Sequence, residues 1–126
     1  MKLNSGIALG ILAGIAIGAA AVQGLHAQAK PPAYQVIEVD VKDPQLYREY
    51  QAKAMPLQLQ YSARFVARGG KVEAFAGDPP KRAVIAVYDN IDKVEALRDL
   101  PEYKALEAVR DKAANYRSYI VEGAPN

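Results

Sequence analysis

The sequence contains no cysteine and no tryptophan, and its single histidine is His26. Without cysteine the chain has no disulfide and no thiol ligand for a metal, so the fold must be held by core packing or by association between chains. A Cys-His nucleophile pair is excluded throughout, and a Ser-His pair is excluded from any part of the chain that lacks His26. Proton transfer in that part depends on Asp, Glu, Lys, Tyr or water assisted by Arg.

Charge is nearly absent from the start of the chain. Lys2 precedes an uncharged run over Gly6–Val22, and the segment ends in the small-x-small sequence Ala27-Gln28-Ala29. This pattern predicts a signal peptide over residues 1–29 that is cleaved near Ala29. An uncleaved membrane anchor is the alternative, although the run is shorter than the ~20 residues that a spanning helix usually needs. Cleavage implies a periplasmic or secreted protein that contacts the membrane only through its signal peptide, before cleavage.

Residues 30–126 are expected to form one small domain with almost no net charge. Removing Lys2 leaves 16 − 1 = 15 basic residues against 14 acidic ones, a net charge of +1. Nucleic-acid binding needs a clustered basic surface, so this balance argues against a nucleic-acid partner. Removing His26 also removes histidine-ligated zinc and haem, and we expect no metal and no cofactor.

Hydrophobic periodicity predicts strands and helices in the order β-α-β-β-α-β. The strands alternate with period two, and the helices carry apolar residues three and four positions apart. Asp43-Pro44 is a typical helix start, whereas Pro56 should kink that helix or end its first segment near Met55. The order is typical of an α+β fold. The predicted strands are Tyr34–Val41, Arg64–Ala76 with an interruption, Arg82–Tyr88 and Tyr116–Val121.

The interruption in the second predicted strand is the pair Gly69-Gly70. Glycine takes positive φ without steric cost, so the pair predicts a bulge or kink inside one long strand from Arg64 to Ala76. Gly69 and Gly70 are therefore expected to be needed for backbone reasons rather than for chemistry.

Charged residues on the first two predicted strands form the candidate site. Glu38 and Asp40 share one face of the first strand, and Arg64 and Arg68 share one face of the second. If both faces line a cavity, they form a pocket for anion binding or proton transfer, with Arg68 as the anion anchor because a guanidinium matches a carboxylate. In the structural alternative, Arg68 pairs with Glu38, Asp40 or a partner chain to balance charge near an interface.

Several short motifs follow one another in the order found in a known family. They are Tyr34-Gln35-Val36-Ile37-Glu38-Val39, Asp43-Pro44 with Tyr47 and Tyr50, Val66-Ala67-Arg68-Gly69-Gly70 with Glu73 and Gly77, Pro101-Glu102-Tyr103 with Arg110, and Val121-Glu122-Gly123. On these motifs the chain resembles the DUF1330 family of the dimeric α/β-barrel superfamily. The resemblance implies a ferredoxin-like subunit with an antiparallel sheet that packs face to face with a second copy, and it implies no particular reaction. Ser62-Ala63 stands where the family usually has a glycine pair.

Two functions are compatible with the sequence. The first is an exported homodimer that binds a small anionic or aromatic molecule, or that has a purely structural role. The second is a cofactor-free enzyme of the isomerase or monooxygenase type, because relatives in the superfamily use the barrel interior as a pocket. An open interior with converging Arg, Tyr and carboxylate groups favours the enzyme, and a filled interior favours the structural module.

We expect the exported protein to begin at Lys30. N-terminal sequencing of protein recovered from the periplasmic or secreted fraction checks this prediction. Replacing Ala29 by leucine should block processing, because the cleavage site requires small residues. Recovery of the parent protein from membranes with Met1 still present would contradict the prediction.

Overall fold

The computed structural model describes residues 29–125, so the predicted signal peptide lies outside the described residues apart from Ala29. Within residues 29–125, four strands and three helices follow one another in the order β-α-β-β-α-α-β. Among these residues no helix is long and apolar enough to cross a membrane. The elements are β1 (Ala33–Val41), α1 (Pro44–Gln60), β2 (Arg64–Arg68), β3 (Arg82–Tyr88), α2 (Ile91–Asp99), α3 (Pro101–Ala113) and β4 (Ala114–Glu122).

The strands form one antiparallel sheet in the order β2-β3-β1-β4. Strands that are joined through helices, β1 with β2 and β3 with β4, therefore run parallel with one antiparallel strand between them. This arrangement is the ferredoxin-like fold, and it confirms the predicted α+β class. β2 and β4 form the two edges of the sheet.

The helices cover one face of this sheet, which we call the covered face. Alternate residues of β1 point to it, and Ala33, Ile37 and Val39 are each at most 4% exposed. Tyr47 and Tyr50 of α1 belong to the same core. Each large side chain buried in this way contributes roughly 1.5–3 kcal/mol, so the covered face supplies most of the stability.

Helix α1 begins as predicted, and it does not end at Pro56, which was one of the two predicted alternatives. The carboxylate of Asp43 accepts a hydrogen bond from the backbone N–H of Leu46 at 3.1 Å. The helix runs through Pro56 to Gln60, so the predicted end near Met55 is wrong. Pro56 is exposed, and water can therefore bond the carbonyl that loses its helical donor.

Strand β2 is shorter than predicted. It ends at Arg68, and residues 69–81 form an irregular connection to β3. Gly69 has φ +70°, and its N–H donates to the Ala83 carbonyl at 3.3 Å as the chain leaves the sheet. The prediction of one strand through Gly69-Gly70 is wrong, because positive φ at Gly69 turns the chain out of register with β3 instead of bending a continuous strand.

A bulge lies earlier in β2. The register with β3 shifts between Phe65 and Ala67, which leaves Val66 as an extra residue. One extra residue reverses the alternation of side chains, so Arg64 and Arg68 lie on opposite faces of the sheet. The prediction that these two arginines share a face is therefore wrong.

Only one of the two glycines is expected to be required. Valine at Gly69 should lower the free energy of unfolding by about 1–3 kcal/mol, because φ is +70° there and the new Cβ would lie 3.3 Å from the Arg82 guanidinium. Gly70→Val is the matched control, since no atom lies within 4 Å of its Cβ position. Urea unfolding of both variants measures the difference. Equal stabilities for the two variants would contradict this account of the turn.

Candidate functional site

The structure does not bring the predicted site residues together. Glu38, Asp40 and Arg64 lie on the face that no helix covers, which we call the open face, whereas Arg68 lies on the covered face. Arg64 stands opposite Val87, which in turn stands opposite Tyr34. Tyr34 is four residues before Glu38, about 13 Å along the strand. The predicted cluster of two carboxylates and two guanidinium groups is therefore not formed within one chain.

Other cations pair with the two carboxylates. Arg117 of β4 stands opposite Glu38, and its Nε donates to Glu38 Oε2 at 2.7 Å. Lys81 Nζ lies 3.3 Å from Asp40 Oδ2. Both pairs are partly exposed to solvent, so each contributes at most about 1 kcal/mol. The predicted pairing of Arg68 with Glu38 or Asp40 is therefore wrong within one chain, because Arg117 and Lys81 pair with these carboxylates instead.

Arg68 contacts α1 and its own strand. Its Nη1 lies 3.3 Å from Met55 Sδ, and its Cζ lies 5.6 Å from the ring centroid of Phe65. The cavity that Arg68 borders has a volume of about 30 Å³, enough for roughly one water molecule. This space does not accommodate a carboxylated ligand without rearrangement.

A larger cleft lies between the covered face and helices α2 and α3, and we call it the α2–α3 cleft. Its volume is about 420 Å³, within the usual range for pockets that bind small molecules. Four aliphatic side chains, Ile91, Val94, Leu97 and Ile120, form part of its wall. The remaining lining is polar or charged, which distinguishes the cleft from a gap in the core.

A chain of hydrogen bonds forms the floor of the α2–α3 cleft. The hydroxyl of Tyr88 donates to Gln35 Oε1 at 3.1 Å, and Gln35 Nε2 donates to Ser118 Oγ at 3.0 Å. Gln35 is 8% exposed, so its amide depends on these partners. Since Ser118 is the acceptor from Gln35, its own O–H is available to donate to a bound molecule. β1, β3 and β4 each supply one member of this chain.

Arg110 and Tyr116 form the wall beside α3. Cζ of Arg110 lies 4.2 Å from the ring centroid of Tyr116, a cation–π contact that holds the guanidinium against the ring. Nε of Arg110 also lies 3.0 Å from Asp111 Oδ1. The side chain is only 15% exposed. Because Asp111 engages one of several guanidinium N–H groups, others are free to bind an oxygen atom in the cleft.

Buried tyrosines surround the floor and the core beneath it. Burial raises the pKa of Tyr47, Tyr50, Tyr88 and Tyr116, because the charged phenolate would lose its contact with water. The Tyr50 hydroxyl makes no hydrogen bond of ordinary geometry, although the hydroxyl groups of Tyr103 and Tyr116 lie near enough to influence its pKa. These tyrosines are neutral at physiological pH and act there as hydrogen-bonding groups, not as bases.

Sequence reasoning missed this cleft, although one signal was present. Gln35 belongs to the face of β1 that otherwise carries Ile37, Val39 and Val41. An amide on an apolar face requires buried hydrogen-bonding partners, so it marks a polar site within the core. Ser118 and Arg110 gave no comparable signal, because their approach to Gln35 and Tyr116 depends on how the helices pack.

The raised tyrosine pKa values predict a loss of stability above pH 10. A tyrosine in the unfolded chain ionises near pH 10, so there the unfolded state loses protons before the folded state does. The free energy of unfolding is therefore greatest below pH 10 and falls as the pH rises beyond it. Ultraviolet absorbance, recorded with circular dichroism, should show part of the tyrosinate signal only when the fold is lost.

The control for this titration is the same chain in concentrated urea, where all tyrosines should ionise in one transition near pH 10. If the folded protein gives that same single transition while its circular dichroism stays unchanged, the tyrosines are not shielded as described.

The fold is similar to solved structures of small proteins with diverse descriptions. A protein of unknown function from Rhodopseudomonas palustris, RPA0582, matches with a TM-score of 0.62 at 16% identity, over 83% of this chain and 93% of that chain. SnoaB, a cofactor-independent oxygenase from Streptomyces nogalater, matches with a TM-score of 0.56 at 12% identity, over 76% and 96%. A dimeric ferredoxin-like protein of unknown function from Thermobifida fusca matches with a TM-score of 0.52 at 18% identity, over 74% and 92%. At these identities the likeness shows the fold alone.

The family assignment comes from the sequence match. No curated protein matches the chain. A family model does match residues 32–124, and the family is described as a domain of unknown function, DUF1330. The matched range contains every strand and helix of the sheet domain together with the α2–α3 cleft. The chain therefore belongs to the DUF1330 family.

Proposed function

We propose that this protein is an exported homodimer that binds a small aromatic molecule bearing hydroxyl, carbonyl or carboxylate groups in the α2–α3 cleft. The observation that carries the proposal is the hydrogen-bonded floor of the cleft. Gln35, Tyr88 and Ser118 present polar atoms at the base of a cleft whose wall includes apolar side chains. Convergent polar groups beside an apolar wall are typical of a small-molecule site.

The lining determines the chemistry of the proposed ligand. A flat ring fits against Val94, Leu97 and Ile120, and an oxygen atom on that ring can accept hydrogen bonds from Ser118 and Arg110. The charges of the lining are mixed, since Glu95 and Glu107 accompany Arg98 and Arg110. Net charge therefore contributes little to selection, and specificity rests on where the oxygen atoms of the ligand lie.

The homodimer is supported by the composition of the open face. At one end of the open face the cross-strand neighbours are apolar, since Tyr34 stands opposite Val121 and Val36 stands opposite Tyr119. Tyr34, Tyr119 and Val121 are 38%, 44% and 51% exposed. A contiguous apolar surface of this kind is typical of an interface. A second copy of the chain covers it without any further partner, because a twofold axis pairs a patch with itself. The dimeric protein from Thermobifida fusca has the same fold, which is consistent with this arrangement.

Export is supported mainly by the first 29 residues. The uncharged run after Lys2 and the Ala27-Gln28-Ala29 sequence are typical of a cleaved signal peptide. The absence of cysteine and of any histidine after His26 suits an oxidising compartment with no need of a thiol or a histidine-bound metal.

A cofactor-free enzyme acting on the same class of molecule is the alternative function. The observation that favours it is the presence of Glu95 and Glu107 in the lining, because a carboxylate is the side chain there that can accept a proton at neutral pH. The tyrosines of the floor do not have this capacity. Recovery of unchanged 4-hydroxybenzoate after prolonged aerobic incubation with the protein supports a binding protein. Conversion of 4-hydroxybenzoate to another compound supports the enzyme.

Calorimetric titration with 4-hydroxybenzoate tests the cleft. The Arg110→Met variant should bind at least about tenfold more weakly than the parent, because a hydrogen bond to a charged group contributes roughly 1.5–3 kcal/mol. Ser118→Ala should weaken binding by a smaller factor, since it removes a neutral hydroxyl.

Arg68→Met is the matched control, because Arg68 lies outside the α2–α3 cleft and the substitution is the same. Its affinity should equal that of the parent. If Arg68→Met loses binding while Arg110→Met keeps it, the ligand is held at the arginine that the sequence pattern favoured and not in the cleft.

A further inference from the structure

Helices α2 and α3 each place one acidic and one basic side chain in the lining of the α2–α3 cleft. Glu95 and Arg98 belong to α2, and Glu107 and Arg110 belong to α3. In each helix the acid precedes the base by three residues, a spacing at which opposite charges commonly pair. Neither pair forms. Within residues 29–125, Arg110 is the only one of the four with an ion-pair partner, and that partner is Asp111.

The contacts of Arg110 explain why it does not pair with Glu107. Its guanidinium lies 4.2 Å from the ring centroid of Tyr116, and its Nε lies 3.0 Å from Asp111 Oδ1. Both contacts hold the guanidinium in place and direct Nε to Asp111. A carboxylate and a guanidinium therefore lie one helical turn apart in the cleft, and neither neutralises the other.

Glu107 is the carboxylate of the lining that most needs a partner. It is partly buried, whereas Glu95 is exposed to solvent. Its side chain accepts no hydrogen bond from any other residue in the range 29–125. Withdrawing a carboxylate from water without a compensating donor is unfavourable. An ammonium group on a ligand supplies both the missing donors and the opposite charge.

The positions of Glu107 and Arg110 match the charged end of an α-amino acid. Side chains three residues apart on a helix have Cβ atoms about 5–6 Å from each other. The ammonium and carboxylate groups of an amino acid share one carbon atom, so they can bind two such side chains at the same time. An aromatic ring on that carbon then packs against the aliphatic wall of the cleft, whose volume of about 420 Å³ accommodates it.

We infer that the α2–α3 cleft binds an aromatic α-amino acid as its zwitterion, with the carboxylate at Arg110 and the ammonium group at Glu107. The inference rests on the proposed function and deepens it, because it assigns a ligand class to the same cleft. A zwitterion has no net charge, in agreement with the mixed charges of the lining. Glu107 thereby adds the position of an amino group to the positions of oxygen atoms as a determinant of specificity.

Calorimetric titration of the unmodified protein with L-tyrosine and with desaminotyrosine tests the inference. The two molecules share the ring and the carboxylate, and only tyrosine carries an ammonium group. Tyrosine should bind at least about fivefold more tightly, because the ammonium group forms a charge-assisted hydrogen bond in a partly buried site. This comparison needs no substitution, so it does not depend on the folding of a variant.

The Glu107→Gln variant identifies the residue that selects the amino group. The substitution keeps the size of the side chain and removes its charge, so tyrosine should lose its advantage over desaminotyrosine. Binding of desaminotyrosine should not weaken. Glu102→Gln is the matched control, because Glu102 lies on α3 outside the lining of the cleft. Its preference for tyrosine should equal that of the parent.

The outcomes separate the amino-acid inference from the cleft proposal. Equal affinities of the parent for tyrosine and desaminotyrosine overturn the inference, and so does a preference that Glu107→Gln retains or that Glu102→Gln also loses. In these cases the cleft proposal stands if 4-hydroxybenzoate binds and Arg110→Met weakens that binding. If the parent binds neither tyrosine nor 4-hydroxybenzoate, the inference and the cleft proposal are both wrong.

Discussion

The helices cover only one face of a four-stranded sheet, and the rest of the molecule depends on this one-sided coverage. The covered face holds a tyrosine-rich core in which Tyr50, Tyr88 and Leu97 are each at most 3% exposed. The open face keeps Tyr34, Tyr119 and Val121 in contact with solvent. Burial on one side stabilises the fold, and the exposed apolar side chains on the other side are the basis of the proposed homodimer.

The same coverage explains why a cleft forms beside β4. Helix α1 packs mainly over β1, β2 and β3, while α2 and α3 are short and meet at Leu100-Pro101. The space left between them and the sheet receives polar side chains that the apolar core would exclude. Gln35, Tyr88 and Ser118 satisfy one another there, and the buried tyrosines stay neutral because ionisation in this environment is costly.

Local features were predictable from the sequence, whereas features set by register were not. The faces of β1 follow from period-two alternation, and the Asp43 cap follows from local hydrogen bonding at the helix start. The bulge at Val66 does not, because periodicity cannot show that a residue is extra until its partner strand is known. Because Val66 is an extra residue, Arg64 and Arg68 lie on opposite faces of the sheet, and the predicted site does not form.

Ser62 departs from the family pattern but keeps a backbone conformation that the family pattern implies. The family resemblance implies a glycine pair there, and Ser62 adopts φ +75°, a conformation that favours glycine. Its hydroxyl accepts a hydrogen bond from the backbone N–H of Asp89 at 3.1 Å, which offsets part of the backbone cost. The departure from the family pattern therefore preserves the turn, and only the structure shows the compensating contact.

A crystal structure of the protein with 4-hydroxybenzoate tests the central claim most directly, because it locates the ligand and the second subunit together. We expect the ring in the α2–α3 cleft of each subunit, with its oxygen atoms at Ser118 and Arg110, and a second copy packed against the open face. A ligand held on the open face beside Glu38 and Asp40, or a cleft closed by its own helices, would contradict it.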